Sequence, residues 1–294
     1  MDNAASGFSL ELLSQHAADL VRTAGRSIVG VQSHRSRGSG FAWRPGLIVT
    51  ADETITDEER LVVVLPGGGT ALATVKGRDA STDIALLRIE GSDLPAVQAS
   101  TDAVEAGALA IVVGAEDGKP VASLGLVSRV NGAWRSVRGG NIDARIEMDM
   151  VLRASAEGGL ALDATGRSLG MAVFGPRRRV VVIPYATIDR VAAKLDADGR
   201  IARGYLGLGL QAVRIEDHGV GAMVMSVDAS GPGAGAGIRQ GDVIAAWNGR
   251  PIDGVHAMLR ELGPDSVGSV VRLAAIRGGE PIEFDVAIGA GPGK

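Results

Sequence analysis

A long succession of short β-rich segments between residues 26 and 184 constrains the fold of this chain more than any other feature. Gly, Pro, Asp or Asn ends each run of Val, Ile, Leu or Ala. So many short runs, with few helical stretches between them, are typical of a β-barrel or β-sandwich. The 43 glycines suit tight turns between strands better than a helical bundle. The predicted strands are Ser27–Val31, Gly40–Trp43, Leu47–Thr50, Leu61–Leu65, Thr70–Arg78, Ile84–Ile89, Ala108–Val113, Val121–Val127, Ala144–Met148, Gly159–Leu162, Ser168–Phe174 and Val180–Pro184.

Helical spacing of apolar residues is found in two segments of this region. In residues 8–24, Ser9 can cap a helix and Glu11 adds a favourable negative charge to its first turn. Tyr185–Leu195 carries its apolar residues on one face and resembles a helix that closes a domain. We therefore predict a short amphipathic helix at the N-terminus and a second helix after the last strand.

The polar, turn-prone stretch Asp196–Arg200 marks a domain boundary. Beyond it, strands alternate with short helices near Gly233–Gly237 and Val255–Leu262, which predicts a small mixed β domain. Its predicted strands are Leu206–Ala212, Ala222–Val227, Val243–Trp247, Val270–Ile276 and Ile282–Ala287. The predicted organisation is an N-terminal helix in residues 1–25, a β domain in 26–198 and a second domain in 199–294.

Charge and composition exclude several classes of function. The 30 basic and 34 acidic residues are interspersed and give a net charge of −4, so nucleic-acid binding is not expected. The densest basic run, Arg177–Arg179, lies between two predicted strands and is interpreted as a solvated hairpin tip. Because the chain has no cysteine, it has no disulfide, no thiolate nucleophile and no cysteine zinc site. No cofactor is expected.

No segment of the sequence predicts a membrane span. The longest apolar runs, Ala108–Gly114 and Val180–Pro184, are far shorter than the roughly 20 residues that a helix needs to cross a bilayer. The first residues lack the basic start and apolar stretch of a signal peptide. If Met1 is the natural start, a cytoplasmic location is expected.

Four segments resemble the HtrA serine proteases, in the order that the family has them. Gly38–Thr50 resembles the stretch that runs into the catalytic histidine, and Ser81–Ile89 is similar to the stretch around the catalytic aspartate. Ile146–Gly159 resembles the stretch that ends in the nucleophile's Gly-Asn-Ser-Gly-Gly, and Val182–Ala192 matches the family's closing strand and helix. The resemblance implies a mostly β fold: a trypsin-like double β-barrel followed by a PDZ-like mixed β domain with two short helices.

The positions of the HtrA catalytic triad carry three acids in this chain. Glu53 stands where the family has histidine, Asp83 keeps the aspartate, and Glu157 stands at the serine position before Gly158. Ser155 replaces the glycine two residues earlier. Serine proteolysis needs a hydroxyl to attack and an imidazole to take and return its proton. We therefore predict that the chain is not an enzyme but an inactive pseudoprotease, whose four histidines are surface residues: His16, His34, His218 and His256.

Glu53, Asp83 and Glu157 should converge in the cleft if the fold is kept. Three like charges cannot all stay ionised there cheaply, so a pKa should rise, a cation such as Ca²⁺, Mg²⁺ or Mn²⁺ should bind, or Arg153 should pair with them. Alternatively the glutamates turn into solvent. A hydrolase that uses the three carboxylates, and a metal-binding protein that uses the same cluster, are the two alternative functions.

A second resemblance lies beyond the predicted boundary. Arg203–Gly209 resembles the carboxylate-binding loop that opens an HtrA PDZ domain, and Gly231–Pro251 looks like the helix and Gly-Asp-Val-Ile strand that follow. Successive backbone N–H groups in such a loop form an anion nest, and a partner's last residues can add as a strand beside Leu208–Ala212. The alternative is a blocked groove. The predicted peptide-binding residues are Tyr205, Leu206, Gly207 and Leu208.

The sequence thus predicts a scaffold, chaperone-like or regulatory subunit. It would recognise the C-terminal or extended peptide of a protein partner through the PDZ-like segment. HtrA proteins commonly assemble as trimers, so the resemblance also implies a homo-oligomer.

Overall fold

The protein is described by a computed structural model that covers residues 9–99, 103–215 and 219–291. The chain divides into two compact units. The first unit comprises Met1–Trp134 and Ile142–Arg200, and the second comprises Arg135–Asn141 and Ile201–Lys294. The predicted domain limits at residues 25 and 198 remain proposals.

Helix α1 (Leu10–Ala24) begins the described part of the first unit, and its apolar residues recur at the spacing that predicted it. Ser9 stands at the N-cap position, but its side chain makes no capping hydrogen bond. Leu10 and Leu12 are exposed, and no residue of α1 is fully buried. The helix therefore lies on the surface of the unit.

The first barrel closes in the strand order β1-β2-β3-β6-β5-β4. Successive side chains of a strand point to opposite faces, which places residues such as Val29, Ile48 and Leu87 inside the barrel. A 3-10 turn, Asp52–Thr54, follows β3. The strands are β1 (Ile28–Ser33), β2 (Ser36–Arg44), β3 (Leu47–Thr50), β4 (Leu61–Val64), β5 (Thr70–Asp79) and β6 (Ile84–Ile89).

The second barrel closes in the order β11-β14-β13-β12-β7-β8, while β9 and β10 form a separate two-stranded ribbon. Its core is again aliphatic and includes Val112, Ile146 and Val182. Two 3-10 turns, Ala154–Ala156 and Pro176–Arg178, precede β12 and β14. The strands are β7 (Leu109–Glu116), β8 (Lys119–Asn131), β9 (Trp134–Arg135), β10 (Asn141–Ile142), β11 (Arg145–Asp149), β12 (Gly159–Asp163), β13 (Ser168–Phe174) and β14 (Val180–Pro184).

Helix α2 (Tyr185–Asp198) follows β14 and ends the first unit's regular structure. It buries Ile188, Val191 and Leu195 on one face. Gly199 ends the helix with φ of 71°, a left-handed conformation that glycine adopts without steric cost. The helix thus runs beyond the predicted end at Leu195, because the left-handed glycine and not the polar stretch stops it.

The second unit contains a sheet in the order β16-β17-β18-β20-β21, with β19 paired to β18 and a separate pair formed by β15 and β22. Strand β16 lies at the sheet edge and pairs with β17. The elements are β15 (Gly204–Tyr205), β16 (Leu208–Ile215), β17 (Gly219–Val227), α3 (Pro232–Gly235), β18 (Val243–Trp247), β19 (Arg250–Pro251), α4 (Val255–Glu261), β20 (Val270–Arg277), β21 (Glu280–Ala287) and β22 (Gly289–Ala290).

The predicted mostly β fold, with two barrels and a smaller β unit that has two short helices, is confirmed. In the described part of the chain, no helix combines the length and apolar character that a bilayer crossing requires.

Candidate functional site

The three triad-position acids lie at the ends of barrel strands. Glu53 is in the 3-10 turn after β3, Asp83 directly precedes β6, and Glu157 directly follows the 3-10 turn before β12. Strands β3 and β6 are paired neighbours, so their adjoining ends bring two of the acids together. The backbone N–H of Glu53 donates a 3.0 Å hydrogen bond to Oδ1 of Asp83.

The chain around Glu157 is anchored to the first barrel. Its main-chain carbonyl accepts a 2.7 Å hydrogen bond from the N–H of Ser39 on β2. The next residue, Gly158, has φ of 80°, and a Cβ there would collide with the carbonyl oxygen of Ser39. A side chain at position 158 would push the two barrels' segments apart, which explains why glycine stands here.

Mutual repulsion and burial perturb two of the acids. Burial, followed by the charges of Glu53, Asp52 and Glu157, raises the pKa of Asp83 from 3.8 to about 7, against the opposing hydrogen bond from the Glu53 N–H. Burial and the charge of Glu53 also raise the pKa of Glu157, whereas the N–H of Phe174 lowers it. The structure therefore brings the three predicted residues within reach of one another's charge, and Asp83 can change protonation near neutral pH.

The arginine that acts on this cluster is not the predicted one. The positive charge of Arg178, in the 3-10 turn before β14, lowers the pKa of Glu157. Arg153 is exposed and stands at the N-cap of the turn before Glu157. Sequence reasoning placed Arg178 only in a hairpin tip, because the contact depends on how the second barrel closes.

The metal alternative gains no support from the geometry. Within residues 9–99, 103–215 and 219–291, no group of three or more His, Asp or Glu side chains is arranged to hold a metal ion. Glu53 itself is exposed, while Asp83 and Glu157 are half-buried. The three acids thus act on one another through their charges, but their carboxylates do not form a coordination shell.

Sequence reasoning also missed Asp52, which fixes the turn that carries Glu53. Asp52 is buried, and its Oδ1 accepts a 2.6 Å hydrogen bond from Nε of Arg78. The second guanidinium nitrogen Nη2 of Arg78 donates to the carbonyl oxygens of Asp52 and Ile55, each at 3.1 Å. No local signal marks this contact, because Asp52 in the turn after β3 and Arg78 on β5 meet only in the closed barrel.

The described histidines make contacts elsewhere. Nε2 of His16 lies 2.8 Å from the carbonyl oxygen of Ala164, and Nδ1 of His34 lies 3.4 Å from Nη1 of Arg60. His256 is in α4 of the second unit. His218 lies outside the described residues.

In the second unit, the predicted carboxylate-binding loop runs between β15 and β16. Gly207 has φ of 73°, and its carbonyl accepts a 2.8 Å hydrogen bond from the N–H of Asp228. The hydroxyl of Tyr205 donates to Oδ2 of Asp228 at 2.9 Å. Asp228, which sequence reasoning missed, therefore fixes both flanks of the loop. Its spacing to Ser230 is typical of an Asx turn, and Oδ1 does accept the Ser230 N–H at 3.0 Å.

Two features of this loop bear on ligand binding, although Leu206 and Gly207 are themselves buried. In the described part of the chain, the N–H groups of Leu206 and Gly207 donate no hydrogen bond within the protein. Strand β16 begins at Leu208, lies at the sheet edge and has α4 beside it. The side chain of Leu206 is buried in the core of the second unit, so it is not free to contact a ligand.

Comparison with known proteins identifies both units. A trypsin-like peptidase domain matches residues 38–171, and a PDZ domain matches residues 204–288. A Pseudomonas savastanoi pv. phaseolicola protein named probable periplasmic serine endoprotease DegP-like is 30% identical over 274 residues, covering 88% of this chain and 57% of the relative. A Chlamydia trachomatis protein of the same name is 29% identical over 290 residues, with the same two coverages. This chain is an HtrA-family protein.

Solved structures agree with the fold of the HtrA-family chain. The serine endoprotease from Yersinia pestis has a TM-score of 0.68 at 24% identity, covering 94% of this chain and 98% of its own. The HtrA-type protease AlgW with decapeptide has a TM-score of 0.67 at 20% identity, covering 94% and 99%. The HtrA-family chain spans little more than half the length of the curated relatives it matches, 57% for both relatives above.

Two predictions from the sequence are wrong in the light of these relatives. The relatives are named serine endoproteases and the structural neighbours are proteases, so the prediction that the HtrA-family chain is not an enzyme is corrected. The names of the relatives also place those proteins in the periplasm, which contradicts the predicted cytoplasmic location. The sequence argument failed because it inferred the absence of activity from a missing histidine and serine, and the location from a missing signal peptide.

Proposed function

We propose that this HtrA-family protein captures the C-terminal segment of partner proteins through its PDZ domain and so serves as a protein-binding scaffold or regulatory subunit. One observation carries the proposal: two backbone N–H groups without partners in the described chain, at Leu206 and Gly207, stand directly before the edge strand β16. A terminal carboxylate accepts hydrogen bonds from such a nest. The residues before it add to β16 as an antiparallel strand.

The side chains around the loop favour an apolar last residue. Leu208 is half-buried and packs against the core of the second unit. Met258 of α4 is buried in the same core. An apolar side chain of the bound peptide that enters between β16 and α4 loses contact with water and is stabilised by these residues.

Fluorescence anisotropy with a labelled peptide that ends in a free carboxylate tests this function. The same peptide with an amidated C-terminus is the matched ligand, because it keeps every side chain and removes the charge. We expect the free acid to bind at least about tenfold more tightly, since charge-assisted hydrogen bonds to the nest are lost in the amide. Equal affinity for the two peptides would exclude carboxylate capture.

Two glycine variants separate the loop from the rest of the domain. Gly207→Glu places an anion in the nest and should abolish binding. Gly219→Glu is the control, because Gly219 also has a positive φ, of 81°, with nothing within 4 Å of an added Cβ. Binding retained by a folded Gly207→Glu variant would place the peptide outside this loop, and loss of binding in both folded variants would mean that the effect is not specific to the loop.

A second candidate function follows from the acids of the barrels: hydrolysis of a bound polypeptide by carboxylate acid–base chemistry. The pKa of Asp83, raised to about 7, supports it, because general acids and bases are most effective near the working pH. In the proposed hydrolysis, the oxygen of a water molecule bonds to the peptide carbonyl carbon while an ionised Glu157 takes a proton from that water. Protonated Asp83 gives its proton to the leaving nitrogen as the C–N bond breaks.

Casein digestion by the pure protein tests the second candidate. Asp83→Asn and Glu157→Gln should each abolish cleavage, because each removes a proton carrier while keeping the size of the side chain. Ser155→Ala is the control, since it removes the serine nearest to Glu157 in the chain and should leave the rate unchanged. Cleavage that survives both acid variants, or that Ser155→Ala removes, would contradict the carboxylate mechanism.

A further inference from the structure

Four charged residues share the outer face of the second barrel. Glu147 lies in the middle of β11, with Arg145 two residues before it and Arg129 directly opposite on β8. On the other side, Glu147 pairs with Val181 of β14, and Arg179 lies two residues before Val181. Because side chains alternate between the faces of a strand, these four charged side chains project from the same face.

The carboxylate of Glu147 is covered by the arginines around it, and only 4% of its side chain is exposed. Nε of Arg145 lies 2.6 Å from Oε1, Nη1 of Arg179 lies 3.3 Å from Oε2, and Nη1 of Arg129 lies 4.0 Å from Oε1. The arginines themselves stay accessible: 37% of the side chain of Arg145, 61% of Arg179 and 57% of Arg129 is exposed. We call Arg129, Arg145 and Arg179 the arginine cluster.

The charges of this group do not cancel. The hydrogen bond from Arg145, together with the charges of the three arginines, holds the pKa of Glu147 below its usual range, so its carboxylate is ionised. Three guanidinium groups around one carboxylate leave a surplus of two positive charges. Each guanidinium has five N–H donors, and the contacts with Glu147 use few of them. The buried acid therefore holds three cations together while their remaining donors face solvent.

The guanidinium group of Arg145 is also held in orientation. The guanidinium carbon of Arg145 lies 5.1 Å from the ring centre of Trp134, so this side chain is fixed between the ring and Glu147. Arg179 follows the 3-10 turn Pro176–Arg178, in which Arg177 and Arg178 both have positive φ. The segment Arg177–Arg179, which the sequence predicted to be a solvated hairpin tip, thus contributes Arg179 to the cluster. A guanidinium group fixed as that of Arg145 is loses little freedom when it binds a carboxylate.

We propose that the arginine cluster binds an acidic polypeptide segment, with the side-chain carboxylates of Asp or Glu seated on the exposed guanidinium groups. The inference goes beyond the C-terminal recognition proposed above, since it concerns another surface and another part of a ligand. A guanidinium and a carboxylate match as planar two-point partners. A nucleic acid fits less well, because a phosphate backbone needs an extended basic stripe to follow, whereas the charges of this chain are interspersed and sum to −4.

The test uses a labelled peptide rich in Asp and Glu, acetylated at its start and amidated at its end so that the PDZ loop has no carboxylate to bind. The matched ligand replaces every Asp and Glu with Asn and Gln. We expect the acidic peptide to bind with an anisotropy change that the neutral peptide lacks. Binding should weaken several-fold between low and physiological salt, because exposed charges are screened over about 8 Å. Equal binding of both peptides would overturn the proposal.

Variants of the cluster give the decisive comparison. Arg129→Gln is the mildest change, since Arg129 lies farthest from Glu147, and it should weaken binding about fivefold. Arg145→Lys with Arg179→Lys keeps the charge but loses the planar donors, and should weaken binding more than Arg129→Gln. The control is Arg22→Gln in α1, whose arginine is 69% exposed and paired with Asp19. Melting curves report whether each variant is folded.

Two outcomes would reject the assignment. One is unchanged affinity in a folded Arg129→Gln variant and in a folded double lysine variant. The other is tighter binding of single-stranded DNA of equal charge than of the acidic peptide. Because both peptides are amidated, failure here leaves the carboxylate capture at Gly207 to be judged by its own experiment.

Discussion

The backbone N–H of Glu53 is hydrogen-bonded to the side chain of Asp83 at 3.0 Å, although the two residues lie 30 positions apart in different turns of the first barrel. Asp83 has φ of 58°, a left-handed conformation that is uncommon outside glycine. The bond ties the turn after β3 to the start of β6. It also keeps the charge of one acid close to the other, which is one reason why the pKa of Asp83 is raised.

Stability should fall as the pH rises, through the titration of Asp83. A carboxyl whose pKa is about 7 in the folded protein and 3.8 when unfolded binds its proton more tightly in the folded state. This contribution is fully present below about pH 4 and is lost as the pH rises to about 7. Asp83→Asn should therefore raise the free energy of unfolding at pH 8 by about 1–2 kcal/mol, allowing for solvent screening.

Urea unfolding at pH 5 and pH 8 measures this effect. Asp93→Asn is the control, because Asp93 is an exposed acid of the same unit. If Asp83→Asn destabilises the protein at pH 8 as much as at pH 5, the raised pKa is wrong.

Gly158→Ala should destabilise the first unit by about 2–4 kcal/mol, because it adds both an unfavourable φ and a collision with Ser39. Gly67→Ala separates the two causes. Gly67 has φ of 88°, close to the 80° of Gly158, but nothing lies within 4 Å of an added Cβ. Chemical denaturation should show a loss of about 1 kcal/mol for Gly67→Ala. Equal losses in the two variants would mean that the contact with Ser39 adds nothing.

The second unit contains two arginine–aspartate ion pairs in which the guanidinium approaches both carboxylate oxygens, one buried and one exposed. Arg277 donates to both carboxylate oxygens of Asp242, at 2.7 and 2.8 Å, and Asp242 is buried. Arg272 approaches Asp285 in the same way at 3.0 and 3.5 Å, but both are exposed. Asp242→Asn should lower the free energy of unfolding by about 2 kcal/mol, because the neutral amide is a poorer partner for the charge of Arg277 at this buried site.

Asp285→Asn is the exposed counterpart, and thermal melting should show little change for it. A large loss in Asp285→Asn, or none in Asp242→Asn, would show that burial does not decide the strength of these pairs.

Tyr205→Phe should weaken binding of a free C-terminal peptide several-fold while the melting temperature stays within a degree or two of wild type. The hydroxyl of Tyr205 anchors the loop to Asp228, and its loss frees the loop to move before binding. Isothermal titration measures the affinity. Tyr185→Phe, in α2 of the other unit, is the control and should bind normally.

Much of the fold follows from local sequence patterns. Alternating aliphatic residues and the turn residues between them predicted all twelve barrel strands of β1–β8 and β11–β14, although β2 begins at Ser36, four residues before its predicted start. The pairs β9 with β10 and β15 with β22 were missed, because strands of two residues have too little pattern to read. Strand β8 runs on to Asn131, past the predicted end, because pairing with β11 continues there.

The sequence by itself determined which residue types stand at the triad positions and in the PDZ loop, since motif order along the chain specifies both. Only the tertiary structure decided which charges surround those residues and how deeply they are buried. Closure of the barrels sets the charges of Glu53 and Glu157 beside Asp83, and gathers three arginines around Glu147. The physical reason is that electrostatic coupling depends on distance and burial in three dimensions, and spacing along a chain encodes neither across different strands.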